Sequence, residues 1–233
     1  MKKIALIGAM KSEISVFIRD FNAEETKIPG IYRGFLDDKE IFICQSGIGK
    51  VNAAIATQRL IDLFGAEYII NSGVAGGVSG KLSKLDIVIS EKLTYHDFTP
   101  LDILDNNPPY SKYMTADKNL VSKALEACSK LAIEIGKNNG NNFSAFPGVI
   151  VSGDCFVNSA EQANRLNRDF GALCTEMEGA AIAHVAVVNK IPFVIIRAIS
   201  DFADEDAENS FDSFEYIAAD RAAFIVKEII SSL

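Results

Sequence analysis

The feature of this sequence that most limits its fold is a series of short apolar runs separated by segments of helical periodicity. The runs are rich in Val and Ile and are flanked by Gly, Asn or Pro, which is typical of strands. Several are apolar at consecutive positions, as central strands are when helices cover both faces of a sheet. The predicted strands are Ile4–Ala9, Ile41–Gln45, Tyr68–Asn71, Ile87–Ser90, Val149–Val151 and Phe193–Arg197.

Apolar residues at helical spacing predict three helices. They lie at Lys50–Leu63, at Asn119–Ala132 and from Phe211 to Ile229, where Ser210 is the expected N-cap. Strands that alternate with helices indicate an α/β fold. We expect one domain over residues 1–233, with two long loops at 97–117 and 136–147. Loops of such length in a compact domain are often functional.

Charge and hydropathy exclude several classes of function. The chain has 233 residues, with 23 Lys and Arg against 31 Asp and Glu, a net charge of −8 and no compact basic run. Phosphodiester backbones and anionic lipids repel such a chain, whereas a small neutral or cationic ligand suits it. No apolar stretch approaches the roughly 18–20 residues that span a bilayer. The apolar run after Lys2 and Lys3 is too short for a signal peptide, which favours a first strand.

The cysteines and histidines argue against disulfide and metal chemistry. The four cysteines are far apart, without a C-x-x-C pair, and their neighbours are apolar, so we expect buried free thiols in a reducing cytoplasm. Only two histidines are present, and no recognised zinc spacing can be built, so we expect no metal site. These residues are Cys44, Cys128, Cys155, Cys174, His96 and His184.

A first glycine-containing segment, Gly47–Gly49, resembles phosphate-binding motifs only superficially. The third glycine of a dinucleotide-binding fingerprint is replaced by Asn52. A P-loop also fails, since Lys50 is followed by Val51 rather than Ser or Thr. We therefore do not expect nucleotide phosphate binding here.

A second glycine-containing segment, Asn71–Gly77, is more informative. It follows an apolar strand, and open α/β sheets bind ligands at the carboxyl ends of their strands. Glycines at this position expose backbone N–H and C=O groups to a planar ligand. Taken alone, the segment is equally typical of a tight strand-to-helix turn.

Acidic residues also follow predicted strands. Glu13 follows the first strand, Glu176 and Glu178 precede an alanine-rich segment, and Asp201 follows the apolar run Phe193–Ser200. Desolvation at the end of a buried strand can raise the pKa of a carboxyl group and keep it protonated as a general acid. Each acid alone is more often a helix cap or turn residue, but three at comparable strand ends point to one site.

Six motifs together resemble one enzyme family, the 5′-methylthioadenosine/S-adenosylhomocysteine nucleosidases of the purine nucleoside phosphorylase/uridine phosphorylase superfamily. In chain order they are GAMKSE, SGIGKVNAA, NSGVAGG, VSGDCFVN, TEMEGAAIAHV and RAISDFAD. The resemblance runs from Ile4 to about Phe214 and is weakest across 97–147. It implies a three-layer α/β/α sandwich with a central twisted mixed sheet. It also implies cofactor-free hydrolysis of the N-glycosidic bond, which yields adenine and a 5-thio-substituted ribose.

The resemblance assigns a role to each candidate residue. Asp201 is similar to the general acid at adenine N7, and Glu13, assisted by Arg197, to the residue that activates water. Binding roles fall on Glu178 at the ribose hydroxyls, Met177 against the sugar, Phe156 stacked on adenine and the Val157 backbone at the base edge. Ser200 would orient Asp201. The other implied substrate-binding residues are Ile48, Ala75, Gly76, Glu176 and Phe211, the last as a wall of the alkylthio pocket.

The resemblance also implies a homodimer, in which the 97–113 loop closes the partner's pocket. Two departures from the family pattern stand out: Val74 replaces a serine, and Lys11 and Ser12 replace an acidic pair before Glu13. The first removes a hydroxyl near the water or the 5′ substituent, and the second weakens the local negative field.

Three alternatives remain open at this stage. A nucleoside phosphorylase is disfavoured because Glu13 would repel phosphate where the attacking group sits. A futalosine-type nucleoside is not excluded as an additional substrate. A catalytically dead sensor of this fold is disfavoured because all the expected acids are present.

Overall fold

The computed structural model describes residues 1–107, 109–137, 143–203 and 207–233, except the side chains of 137, 207–216 and 219. Within these ranges the chain forms ten strands and six α-helices. The strands are β1 Lys2–Gly8, β2 Glu24–Glu25, β3 Ile31–Leu36, β4 Lys39–Gln45, β5 Tyr68–Gly77, β6 Ile87–Tyr95, β7 Met114–Thr115, β8 Ala145–Ser152, β9 Ala172–Glu176 and β10 Phe193–Asp201. The helices are α1 Lys11–Asp20, α2 Lys50–Phe64, α3 Lys118–Lys137, α4 Ala160–Phe170, α5 Gly179–Asn189 and α6 Ala207–Ser231.

All ten strands of the described chain belong to one mixed sheet. β1 pairs in parallel with β4 on one side and β5 on the other. β5 also pairs in parallel with β10, and the path β10–β6–β8–β9 returns to β5 through a short antiparallel contact. One part of the twisted sheet therefore closes on itself, so that the carboxyl ends of β5, β8, β9 and β10 surround a common space.

Helices cover both faces of this sheet, and the apolar strands pack against both layers. In β1, Ile4 and Leu6 pack on the side of α1, α3 and α6, whereas Ala5 and Ile7 pack on the side of α2 and α5. The same alternation continues along β10, which is buried at all nine positions. The predicted α/β/α sandwich with a central mixed sheet is confirmed. None of the helices in the described ranges is both long and apolar enough to span a bilayer.

The six predicted strands are all present, and most extend beyond their predicted ends. The largest extension is β5, which continues through Gly77, so the glycine-rich segment is part of a strand and not a strand-to-helix turn. Strands β2, β3, β7 and β9 were not predicted. β3 exposes Arg33 and Phe35, and β2 and β7 contain two residues each, so these strands lack the apolar run on which the prediction depended.

The three predicted helices are present as α2, α3 and α6, with two corrections. α6 begins at Ala207, so Ser210 lies inside its first turn and is not the N-cap. α3 extends to Lys137 and β8 begins at Ala145, which shortens the loop expected at 136–147; residues 138–142 lie outside the described residues. The 97–117 segment contains a short 3-10 helix at Leu101–Ile103 and then β7.

Two glycines of β5 leave room for acidic side chains. A Cβ atom on Gly73 would lie 2.3 Å from Oε1 of Glu13 and 3.1 Å from Nη1 of Arg197. A Cβ atom on Gly76 would lie 2.9 Å from Oδ1 of Asp201. Both distances to the acids are shorter than real Cβ contacts. β5 can therefore pass close to the two carboxylates only because positions 73 and 76 are glycines.

The close approach at Gly73 predicts a specific cost for Gly73→Ala. The new methyl group must displace the Glu13 carboxylate, so we expect a loss of about 1–3 kcal/mol in the free energy of unfolding, measured by urea denaturation. Gly77→Ala is the control in the same strand. Its Cβ would lie 3.2 Å from Cγ2 of Ile199 and 3.5 Å from both the Asp201 carbonyl oxygen and the Phe202 ring, which are longer distances than at Gly73, so we expect a smaller loss. Equal stability of Gly73→Ala and the parent protein would contradict this account.

Candidate active site

A cavity of about 380 Å³ lies at the carboxyl ends of β1, β4, β5, β8, β9 and β10. This volume is within the range of about 300–1,000 Å³ that is usual for small-molecule sites. Its lining combines apolar side chains with four carboxylates. The lining residues are Ala9, Met10, Glu13, Ile48, Val74, Ala75, Gly76, Cys155, Phe156, Val157, Thr175, Glu176, Met177, Glu178, Ser200 and Asp201.

The cavity brings together nearly all of the residues that the sequence singled out. Two are exceptions: Arg197 lies behind the lining, and the side chain of Phe211 lies outside the described residues. The predicted residues that line the cavity are Glu13, Ile48, Ala75, Gly76, Phe156, Val157, Glu176, Met177, Glu178, Ser200 and Asp201. Glu13 and Asp201, from opposite ends of the sequence, therefore share one space large enough for a nucleoside.

Backbone donors hold the Glu13 carboxylate in a fixed orientation at the start of α1. Oε2 accepts hydrogen bonds from the N–H groups of Ala9 at 2.6 Å and Met10 at 3.0 Å, and Oε1 accepts one from Val74 at 3.1 Å. Burial raises the pKa of Glu13, and the Arg197 guanidinium and these N–H groups only partly oppose the rise. The carboxylate, which lines the cavity, is thus held in one orientation and has an increased affinity for a proton.

Arg197 supplies the positive charge behind the cavity wall. It is only 2% exposed in the middle of β10. Its Nη2 donates to Asn71 Oδ1 at 2.6 Å and to Glu176 Oε2, and lies 4.0 Å from Oε2 of Glu178. Although burial opposes it, the neighbouring carboxylates raise the pKa of this guanidinium, in the order Glu176, Glu13 and Glu178. Arg197 therefore acts on the site through these acids.

Hydrogen bonds within the protein occupy the Glu176 carboxylate. Oε1 accepts from the Ser152 hydroxyl, and Oε2 accepts from Arg197 and from the N–H groups of Glu178 at 3.1 Å and Gly179 at 2.7 Å. A carboxylate has about four acceptor positions, so little capacity is left for a ligand. The geometry favours Glu176 as a support for Arg197, and its expected contact with substrate stays a prediction.

Glu178 is a second acid of the cavity whose pKa is raised. Burial and the charge of Glu176 raise the pKa of Glu178 to about 7, against the opposing effects of Arg197 and the Gly49 N–H. That N–H donates to Oε1 of Glu178 at 2.8 Å. A carboxylate at a cavity surface, with one oxygen bound to a turn, can accept hydrogen bonds from hydroxyl groups of a ligand.

Asp201 is the last residue of β10 and is 3% exposed. Its Oδ2 accepts a hydrogen bond from the Ser200 hydroxyl at 2.7 Å, and its Oδ1 accepts one from the Ala203 N–H at 2.8 Å. Each carboxylate oxygen has two lone pairs, so both oxygens retain a position for a proton or a ligand. The contact predicted between Ser200 and Asp201 is present.

The opposite wall of the cavity is formed by the loop after β8. Phe156 presents an aromatic ring that is 47% exposed, and Val157 is buried beside it. Cys155 corrects the expectation of four buried thiols: it is exposed and lines the cavity, whereas Cys44, Cys128 and Cys174 are buried. Apolar residues follow Cys155, but Asp154 precedes it, and the loop turns the Cys155 side chain into the cavity.

Sequence reasoning missed four lining residues: Ala9, Met10, Cys155 and Thr175. Each is the direct neighbour of a motif residue or lies within the same motif, which is the signal that could have identified them. Among the side chains that the structure describes, no Lys, Arg or His lines the cavity. Nor do the described side chains bring three His, Cys, Asp or Glu together in a metal-binding group.

Comparison with known proteins agrees with this geometry. A model of the phosphorylase superfamily matches residues 3–231. The 5′-methylthioadenosine/S-adenosylhomocysteine nucleosidase of Glaesserella parasuis is 37% identical over 235 residues, which are 99% of each chain. The crystal structure of the Neisseria meningitidis nucleosidase in complex with methylthio-immucillin-A is 37% identical, covers 100% of both chains and has a TM-score of 0.88.

Another similar structure is that of a hydrolase named for a different substrate. The futalosine hydrolase of Helicobacter pylori is 32% identical, covers 100% of this chain and 98% of its own, and has a TM-score of 0.86. The superfamily match and the full-length identity of the nucleosidases decide the family. The chain belongs to the 5′-methylthioadenosine/S-adenosylhomocysteine nucleosidases, a family of N-glycosyl hydrolases within the phosphorylase superfamily.

Proposed function

We propose that this chain hydrolyses the N-glycosidic bond of 5′-methylthioadenosine and S-adenosylhomocysteine, with Asp201 as the general acid and Glu13 as the residue that activates water. The observation that carries the proposal is that both carboxylates line one nucleoside-sized cavity, separated by the glycines of β5. The names of relatives suggest the substrates, and the shared cavity supports the proposed roles. Residues 1–233 act as a single catalytic unit, in keeping with the one sheet that all the described strands build.

The reaction needs a proton for the leaving base and a nucleophile at the anomeric carbon. Cleavage passes through an oxocarbenium-like sugar, as in glycoside hydrolysis generally. Asp201 donates its proton to adenine N7, so that the base leaves neutral, and Ser200 holds the carboxyl in position. Glu13 accepts a proton from the attacking water as the new C–O bond forms. Burial favours this step because it raises the pKa of Glu13 and makes it a stronger base.

The remaining lining residues bind the rest of the nucleoside. Phe156 stacks on adenine, and the backbone of Val157 reads the edge of the base. Glu178 accepts hydrogen bonds from the ribose hydroxyls, and Met177 packs against the sugar. Apolar surface at Ile48 and elsewhere in the lining suits a neutral thioether substituent, because little desolvation opposes its burial.

Water rather than phosphate is the nucleophile in this proposal. Phosphate would bring a double negative charge into a cavity lined by four carboxylates, with no basic side chain in the described lining. Arg197 does not reach the cavity surface, and Glu176 occupies it. Electrostatic repulsion at a poorly solvated site therefore disfavours a phosphorylase. The presence of both acids equally disfavours a sensor without activity.

Futalosine-type nucleosides are a second candidate substrate class. The futalosine hydrolase of Helicobacter pylori is 32% identical over the whole chain, the same identity as the nucleosidase of that organism. The reaction on such a substrate would use the same two acids.

A cytoplasmic location belongs to the same proposal and is supported by the four unpaired cysteines.

The central test is adenine release from methylthioadenosine with and without phosphate. We expect equal rates in both conditions and a free thioribose as the second product. S-adenosylhomocysteine and aminodeoxyfutalosine are assayed in parallel to rank the substrates. Adenine formed only with phosphate, together with a sugar 1-phosphate, would identify a phosphorylase, and no product in any assay would favour a sensor.

Replacing either acid tests its assigned role. The amide of Asp201→Asn has no acidic proton to transfer, and the amide of Glu13→Gln is too weak a base to accept one, so we expect each to lower kcat by about 10²–10⁴ while the nucleoside still binds. Binding is measured by calorimetry with methylthioadenosine. Asp169→Asn and Glu228→Gln, in ion pairs on the surface, are matched controls with expected normal activity. Near-normal turnover of Asp201→Asn would remove Asp201 from the mechanism.

We infer that a homodimer completes the pocket. Ile48, Val51 and Ile55 form an exposed apolar row that starts at the cavity, with Val51 68% exposed. The 97–113 loop adds further exposed apolar residues to the same side of the molecule, where Tyr110 packs on His184 of α5. Exposed apolar residues that lie next to one another are typical of an interface. In the proposed dimer the 97–113 loop of each subunit covers the partner's pocket.

The dimer proposal predicts a clear response to a charge in the apolar row. Val51→Asp should shift the mass in light scattering from twice the chain mass towards the monomer and should weaken substrate binding. Ile133→Asp is the control, because Ile133 is 60% exposed on α3, away from this face. A monomeric parent protein with full activity would contradict the proposal.

A further inference from the structure

Three charged residues meet beside the candidate active site without lining it. Lys50 begins α2, Asp97 follows β6, and Asp154 lies in the loop after β8. None of them belongs to the cavity lining. They come from three distant segments of the chain, so their contact is a product of the fold. We call these residues the lysine cluster.

The contacts in the lysine cluster form a closed triangle. Lys50 Nζ donates to both carboxylate oxygens of Asp97 at 2.7 Å and lies 3.6 Å from Oδ2 of Asp154. The backbone N–H of Asp154 donates to Asp97 Oδ2 at 2.8 Å. Oδ1 of Asp154 in turn accepts from the backbone N–H of Lys50 at 2.8 Å, which caps the first turn of α2.

The triangle joins two walls of the cavity. On one side, Lys50 follows Ile48, which lines the cavity, and Gly49, whose N–H binds Glu178. On the other side, Asp154 lies in the loop that carries Phe156, two residues before it. Gly49 has a φ of +97° and lies close to the Asp154 carboxylate, so the turn can adopt this shape only with glycine. Asp154 is bonded to the start of α2 and lies two residues before Phe156. A displacement of Asp154 is therefore expected to move both walls of the cavity.

We propose that Lys50, Asp97 and Asp154 are positioning residues that fix the base-binding loop against the turn that holds Glu178. The inference rests on the proposed function, since it assigns adenine stacking to that loop. The lysine cluster touches no substrate atom. It sets the distance between the Phe156 ring and the opposite wall, and so the affinity of the site for the base.

The exposure of these side chains argues against a purely structural role. Relative side-chain exposure is 21% for Lys50, 28% for Asp97 and 47% for Asp154. Partly exposed ion pairs contribute little to the stability of a whole fold. The hydrogen bonds to the backbone of Asp154 and Lys50, in contrast, act directly on the local path of the chain. Their loss is expected to loosen the loop and not to unfold the protein.

Kinetics of Lys50→Met and Asp97→Asn test the proposal. Stacking on the base is present in both the bound substrate and the transition state, so its loss raises KM more than it lowers kcat. We expect KM for methylthioadenosine and the inhibition constant of free adenine to rise about tenfold or more, with kcat changed less than about threefold. Lys50→Arg keeps the charge and should recover most of the affinity. Asp97→Asn keeps the size of the side chain, so it carries the test if Lys50→Met does not fold.

Controls separate this proposal from its alternatives. Lys130→Met breaks a surface ion pair of the same length, 2.7 Å to Glu228, and should leave both constants unchanged. A parent protein that releases no adenine refutes the proposed function itself. With an active parent, the lysine-cluster proposal is overturned by unchanged constants in Lys50→Met and Asp97→Asn. A fall in kcat without a rise in KM overturns it as well. So does a loss of affinity that appears only together with dissociation of the dimer.

Discussion

The site depends on one buried cation, the guanidinium of Arg197. Three glutamates lie against it with less than a tenth of their surface exposed. Burying a carboxylate without a partner is strongly unfavourable, so Glu13, Glu176 and Glu178 can remain at the cavity only because the guanidinium is shared among them. Removal of that charge would leave three carboxylates to repel one another inside the protein. The position of Arg197 in the middle of β10 thus determines where the acids can be.

The sheet explains how so many polar groups reach one place. Strands β1, β4, β5, β8, β9 and β10 all end at the cavity, and residues near the end of each strand, or up to three positions after it, line it. β5 is the exception in composition, because its last part is built from glycines and small residues. Gly73 and Gly76 allow the strand to continue between the Glu13 and Asp201 carboxylates, where any side chain would displace one of them.

Local sequence could predict much of this arrangement, but not all of it. The central strands and the sandwich follow from apolar runs buried on both faces, and the acids follow from their places at strand ends. β9 was missed because Thr175 and Glu176 interrupt a short run that is buried only through tertiary contacts. The place of Arg197 behind the lining could not be derived either. It depends on Asn71 and Glu176, which are distant in sequence, and no local pattern reports such a pairing.

Structural and catalytic interpretations of the same acid are compatible in this protein. Glu13 caps α1 by accepting the Met10 N–H, as an ordinary residue at this position would, and Asp201 accepts the Ala203 N–H within a turn. These bonds to the backbone remove the freedom of each carboxylate to rotate before a ligand arrives. Preorganised groups do not have to reorient during reaction, which is the main electrostatic advantage of an active site over water. The helix cap and the turn are therefore the means by which the fold orients its acids.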